Sequence, residues 1–263
     1  MLSKSKRILF GMLHVVMLLV MVHWFLISVT YLREISWLAI LGAGLLFLLG
    51  WLKRDGVKRA LAWLTQHKKG FLLGAVVFQL IVMVCAELFI RRDAAVVFKG
   101  AFDLLKQSSI TNYLSRNPNN IPLFLYEKFF YVLFGSSGLW VMQAFNILYV
   151  NLGAVLLYKL SQKHFNQKTA DLVYLFYVSL ICYSPYFYSM YTDIPPLPLI
   201  ALQLWWALDL LKENQAGISW KKMFGLGILS GVTMLIRPTT IIVMIAFWAV
   251  LFFRGNWKVF GKI

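Results

Sequence analysis

Apolar residues run through this chain in long blocks, not in the short rhythm of a soluble protein's strands and helices. Such blocks occupy residues 8–32, 35–52, 71–90, 139–160, 170–188, 223–236 and 239–253, and a further one follows the turn at 191–196 and runs to Leu211. About 20 residues at ~1.5 Å rise cover the hydrocarbon core of a bilayer. The pattern therefore predicts an all-α integral membrane protein with about eight transmembrane helices. We read residues 1–263 as a single domain. Its first part, 1–70, is an N-terminal helix pair followed by a basic segment in which Val57, Leu61 and Leu64 form the apolar stripe of a membrane-surface helix.

One long polar interruption, residues 91–138, breaks this pattern and predicts a large loop on one side of the membrane. Its first half, 94–107, places Lys99, Asp103 and Lys106 on one helical face, with Val96, Val97, Ala101, Leu104 and Leu105 on the others. That suits a helix lying in the interface plane. A hinge rich in turn formers follows at 115–120, and the stretch 121–134 is too short to span, reading as a second interfacial or re-entrant helix. Asp93 stands at the entrance of the loop beside Arg91 and Arg92, and Glu87 pairs with Arg91 one turn earlier.

Composition agrees with the pattern: the 263 residues are 60% hydrophobic and 14% charged. A net charge of +16 raises the question of nucleic acid, but the distribution excludes it as a partner. Lysines and arginines gather in short loops between apolar blocks, as the positive-inside rule requires. Alternation then places both termini and residues 53–70 in the cytoplasm of a multi-pass plasma-membrane protein. Residues 91–138, the 191–196 turn and Arg237-Pro238 fall on the extracytoplasmic side. The run at 8–32 is too long for a cleaved signal peptide. Cys85 and Cys182 lie inside apolar blocks and imply neither a disulfide framework nor a metal site. Nothing in the pattern indicates an oligomeric state.

Several polar residues carry candidate chemistry. Asp93 reads as a catalytic base or metal ligand, or equally as a solvated acid paired with Arg91 or Arg92. Asp193, before two prolines, reads as a helix cap or as part of a site with Tyr183, Tyr186, Tyr188 and Tyr191, which the spacing places at one depth. Arg237, uncompensated between two apolar blocks, either snorkels to the interface or presents its guanidinium fork to phosphate. Asn117, Asn119 and Asn120 suit sugar hydroxyls or a polar hinge. The histidines (14, 23, 67 and 164) have no metal-ligand spacing, and the sequence contains no Gly-rich nucleotide loop, GxSxG or CxxC.

An acid just after a helix, a large loop with two interfacial helices, Ser184-Pro185, Tyr191-Thr192-Asp193-Ile194-Pro195 and Arg237-Pro238-Thr239 follow one another in this order. Together with Tyr113-Leu114-Ser115-Arg116-Asn117-Pro118-Asn119-Asn120-Ile121, they resemble the GT-C superfamily of membrane glycosyltransferases over about residues 81–253. The resemblance implies inverting transfer of a sugar from a polyprenyl-phosphate donor to an acceptor at the extracytoplasmic face, with membrane lipids as neighbours. In that scheme Asp93 takes the acceptor's proton or helps hold a divalent metal, and no other cofactor is implied. Arg91, Arg92, Arg116, Asn117, Asn120, Tyr191, Asp193 and Arg237 would bind the substrate. Members of that superfamily usually carry more helices, so the resemblance is to a truncated or partial member. Two other classes fit the pattern: a non-catalytic fragment or membrane subunit, and a lipid or sugar transporter.

Overall fold

The computed structural model describes residues 53–86, 90, 92–188, 191–212 and 220–253. The expected spans at 8–32 and 35–52, the Glu87–Arg91 pair and the basic tail after residue 253 lie outside these. Among the described residues the backbone is helical, with no strand. The chain divides into two compact units, Met1–Trp63 and Leu64–Ile263. Of the first, only the start of helix α1 (Arg54–Gln66) is described; there Lys58 pairs with Asp55 at 3.4 Å, and Leu61 and Trp63 are exposed.

Everything that follows belongs to the second unit. Helix α2 (Lys68–Cys85) is 18 residues long, about 27 Å at 1.5 Å per residue. Its exposed side carries Leu73, Val77, Leu80, Ile81 and Val84, whereas the polar Gln79 is fully buried. Apolar outside and polar inside is the reverse of a soluble protein and suits a helix solvated by lipid. The span expected to reach residue 90 ends at Cys85, because Ala86 turns extended with ψ 137°. The Tyr188 hydroxyl donates to the freed Ala86 carbonyl at 3.2 Å.

The loop is folded differently from the expected helix pair. It forms α3 (Arg92–Ala101), α4 (Gln107–Arg116), a 3₁₀ turn (Pro118–Asn120) and α5 (Ile121–Phe134). The helix expected over 94–107 stops at Ala101 because Asp103 takes a left-handed φ of 56°. The Leu104 amide then donates back to the Lys99 carbonyl at 2.7 Å, closing the last turn. Aspartate is among the few side chains that visit this conformation routinely, and here its carboxylate also meets Lys128 at 2.6 Å. Ser115 and Arg116, expected in the hinge, are helical.

Helix α5 turns back on α6 (Gly138–His164) as a hairpin through Gly135, whose φ of 57° and ψ of −137° lie where a side chain is strained. A Cβ at Gly138 would sit 2.8 Å from the Phe130 carbonyl oxygen, so the close approach also needs glycine. Helix α7 (Gln167–Tyr177), capped by Asn166 accepting from the Thr169 amide at 2.8 Å, continues as a π-helical turn, Val178–Cys182. Such a turn leaves backbone groups outside the regular ladder, and buried Gln79 donates to the Cys182 carbonyl at 2.8 Å. The chain then forms a 3₁₀ turn (Pro185–Tyr188), α8 (Leu197–Lys212), α9 (Trp220–Ile236), a second 3₁₀ turn (Pro238–Thr240) and α10 (Ile241–Phe253).

Three apolar clusters hold these elements. Ala75, Val150, Ala154, Val178, Cys182, Phe187 and Ile194 join α2, α6, the π turn and the segment before α8. Ala101, Phe102, Phe130 and Met142 join α3, α5 and α6, and Ala207, Leu210, Leu226, Phe247 and Leu251 join α8, α9 and α10. Two described runs are long and apolar enough to cross a membrane: Lys68–Cys85 and Pro118–His164, which contains α5 and α6.

Candidate functional site

The two ends of the bundle differ in chemistry. At one end, Lys68 meets Asp171 and Tyr158, and Lys163 and His164 both face Asp209, at 2.7 and 3.0 Å. The other end collects most of the predicted site residues, and the chain delivers each by a local device. Pro238 disfavours the helical conformation at the residue before it, and Arg237 is extended (φ −143°, ψ 103°) and leaves the end of α9. Thr240 holds that turn by donating through its hydroxyl to the Arg237 carbonyl at 2.8 Å. Segment 191–196 is pinned by Ile194, 1% exposed in the core. Pro118 similarly closes α4 and sets the 3₁₀ turn that buries Asn120.

These devices bring residues distant in sequence together. The Arg237 guanidinium pairs with Asp193 at 2.7 Å, donates to the Thr192 hydroxyl at 3.2 Å and lies 5.2 Å from the centre of the Tyr191 ring. Next to this group, the Asn120 amide donates to the Tyr113 hydroxyl at 2.7 Å, and that hydroxyl donates to the Asp93 carboxylate. Tyr113 is also close enough to Tyr191 to feel it electrostatically, which links the two groups. Burial first, and then the Asp93 charge, push the Tyr113 phenol up to about 12, so it remains a hydrogen-bond donor.

Several expectations need correction. Arg237 is not uncompensated: Asp193 and Thr192 are its partners within the chain. Asp193 supplies the carboxylate of that ion pair. Of the four tyrosines, Tyr183 and Tyr188 do not lie at one depth. Tyr183 donates to the Phe71 carbonyl and Tyr188 to that of Ala86, positions about 22 Å apart along α2 at 1.5 Å per residue. Asn117 uses its side-chain amide on the Tyr113 carbonyl at 3.1 Å, closing α4. Arg116 is exposed in the last turn of α4. Asp93 is exposed in the first turn of α3, where a helix N-terminus favours a carboxylate. Arg91 lies outside the described residues, and of Arg92 only the backbone that opens α3 is described. Among the described residues no three His, Cys, Asp or Glu side chains converge as metal ligands.

Two members of the neighbourhood escaped the sequence reading. Tyr113 lies in a quoted phrase but carried no role; its spacing from Asn120 has meaning only through the turn at Pro118. Glu127, fully buried on α5, sat unremarked in an apolar stretch. Beside the polar group lies an apolar cavity of about 420 Å³, walled by Leu123 and Tyr126 of α5, Leu152 of α6, Thr192 and Pro195 of the turn, Leu199 and Leu202 of α8, and Ile236 of α9. Thr192 belongs to both, so the cavity adjoins the Arg237 group.

No curated protein and no solved structure matches the chain. Residues 7–256 do match the model of a family described as conserved hypothetical integral membrane proteins, and the chain belongs to that family.

Proposed function

We propose that this protein is a GT-C-like glycosyltransferase that moves a sugar from a polyprenyl-phosphate donor to an acceptor hydroxyl at the extracytoplasmic face of the plasma membrane. The observation that carries this reading is the pairing of a polar group, Asp93–Tyr113–Asn120 beside Arg237–Asp193–Thr192, with an apolar cavity of about 420 Å³ adjoining it at Thr192. A lipid-linked substrate needs that combination: an apolar trough for isoprene units and fixed polar groups where they end. About eight spans with cytoplasmic termini complete the proposal, and they place the polar end outside.

In this reading the acceptor oxygen attacks the anomeric carbon while the bond from that carbon to the phosphate oxygen breaks. The acceptor's proton passes to Asp93, and the electron pair leaves with the polyprenyl phosphate. Tyr113 keeps the carboxylate oriented by donating to it. Arg237 offers five N–H donors in a planar fork, of which Asp193 and Thr192 take two, and the fork meets the departing phosphate. Fixed positive charge where negative charge develops is worth most in a water-poor site. Asp193 holds the guanidinium in place.

The test is transfer of radiolabelled sugar from a polyprenyl-phosphate donor by membranes carrying each variant. Asp93→Asn is expected to lower transfer by about 10²- to 10⁴-fold at equal expression, the usual scale for losing a general base. Arg237→Lys keeps the charge but loses the fork, and should weaken donor binding. Equal transfer by wild type and Asp93→Asn would remove the proposed base. A second reading, translocation of a lipid or sugar, is favoured by the π turn at Val178–Cys182 and buried Gln79 and Gln203 within the bundle. It predicts movement of the donor across vesicles with no transfer.

A further inference from the structure

We infer that Glu127 is a subsite for a single hydroxyl of the substrate's sugar, presenting to it an uncharged carboxylic acid. This rests on the reading of the site as one for a lipid-linked sugar. Glu127 lies on the inner face of α5, is 0% exposed, and neither of its carboxyl oxygens has a hydrogen-bond partner. Natural proteins rarely leave a buried polar group unsatisfied, so such a group calls for an explanation. Among the described residues no cation is placed to meet it: Arg237 is engaged with Asp193, and Lys128, next along α5, with Asp103. An ionised carboxylate without a partner is strongly disfavoured in such a place, and the neutral acid is the form that survives there.

Glu127 lines a small void of about 10 Å³ together with Leu123, Tyr126, Met142, Asn146, Tyr191 and Pro195. That is about the smallest space that admits one water-sized group, which fits one hydroxyl and not a whole sugar ring. Leu123, Tyr126 and Pro195 also wall the larger apolar cavity, so the two spaces adjoin. Tyr191, whose ring lies against Arg237, also lines the small void. A donor with its lipid in the large cavity and its phosphate at Arg237 would therefore bring its sugar over Glu127. The neutral acid can both donate to and accept from a hydroxyl, and Tyr126 lines the same void.

The experiment uses the full chain in nanodiscs and measures binding of polyprenyl-phosphate glucose, mannose and galactose, each compared with the same lipid phosphate bearing no sugar. Glu127→Met should weaken binding of the bound sugar-bearing lipid by about tenfold, the scale of one lost hydrogen bond to a buried partner, and leave the sugarless lipid unchanged. Glu127→Gln, which keeps an uncharged donor and acceptor, should bind within about threefold of wild type by the same scale. A second measurement needs no variant. Dicyclohexylcarbodiimide, which adds to protonated carboxyls in apolar surroundings, should label Glu127, and the sugar-bearing lipid should slow this while the sugarless lipid does not. Equal losses for both lipids in Glu127→Met, or labelling that no sugar-bearing lipid slows although it binds, would overturn the role of Glu127 alone. Failure of every such lipid to bind would overturn this role and the proposed function together.

Discussion

At the scale of single residues, Tyr113 decides how the polar group is held together. Its hydroxyl accepts from Asn120 and donates to Asp93, so one oxygen ties a buried turn to an exposed helix start. Tyr113→Phe leaves the Asn120 amide without its acceptor in a buried place, at a cost of about 1–3 kcal/mol. The expected result is a lower Tm in detergent and a partial loss of sugar transfer, smaller than that of Asp93→Asn. A loss as large as that of Asp93→Asn would assign Tyr113 a direct part in the proton transfer. The raised phenol pKa has a sign that can be checked. Folding favours the protonated form, so the contribution is complete below pH ~10 and disappears as pH rises through about 12. Alkaline difference spectra of wild type against Tyr113→Phe should show that this phenol ionises above the ordinary tyrosine range of ~10.

At the scale of elements, the hairpin of α5 and α6 sets where the site can form. It brings Glu127 and Tyr126 opposite Met142 and Asn146, and it lays Leu123 along the cavity. The turn depends on Gly135, whose φ and ψ are nearly forbidden to any residue with a Cβ. Gly135→Ala is therefore expected to destabilise the protein by about 1–3 kcal/mol. It should lower Tm while the carboxylate and arginine of the site remain chemically intact. Unchanged stability would mean that α5 and α6 are joined by a turn of another kind. The break after Ala101 was illegible in sequence for a related reason. The helical spacing of Lys99, Asp103 and Lys106 continues through 94–107, and only the left-handed Asp103, paired with Lys128 across the loop, stops the helix.

At the scale of the whole molecule, the apolar exterior, the buried glutamines and the family match describe an integral membrane protein. The sidedness proposed from charge is open to a direct check. In a chain lacking Cys85 and Cys182, an impermeant thiol reagent applied to intact cells should label Ser109→Cys and not Gln66→Cys. The opposite pattern would turn the polar end inward and remove an extracytoplasmic site. The sequence by itself determined the all-helical membrane class, most of the helix positions among the described residues, and the separation of a basic end from the end that carries Asp93, Asp193 and Arg237. These follow from hydropathy, proline and charge, which act locally and survive in any arrangement of the helices. Only the tertiary structure decided that Arg237 has Asp193 as its partner, that Tyr113 joins Asn120 to Asp93, and that Glu127 is buried without a partner beside an apolar cavity. Each of these is a contact between elements far apart in sequence, or, for Glu127, the absence of one, and the pattern along a single helix does not record which face meets which neighbour.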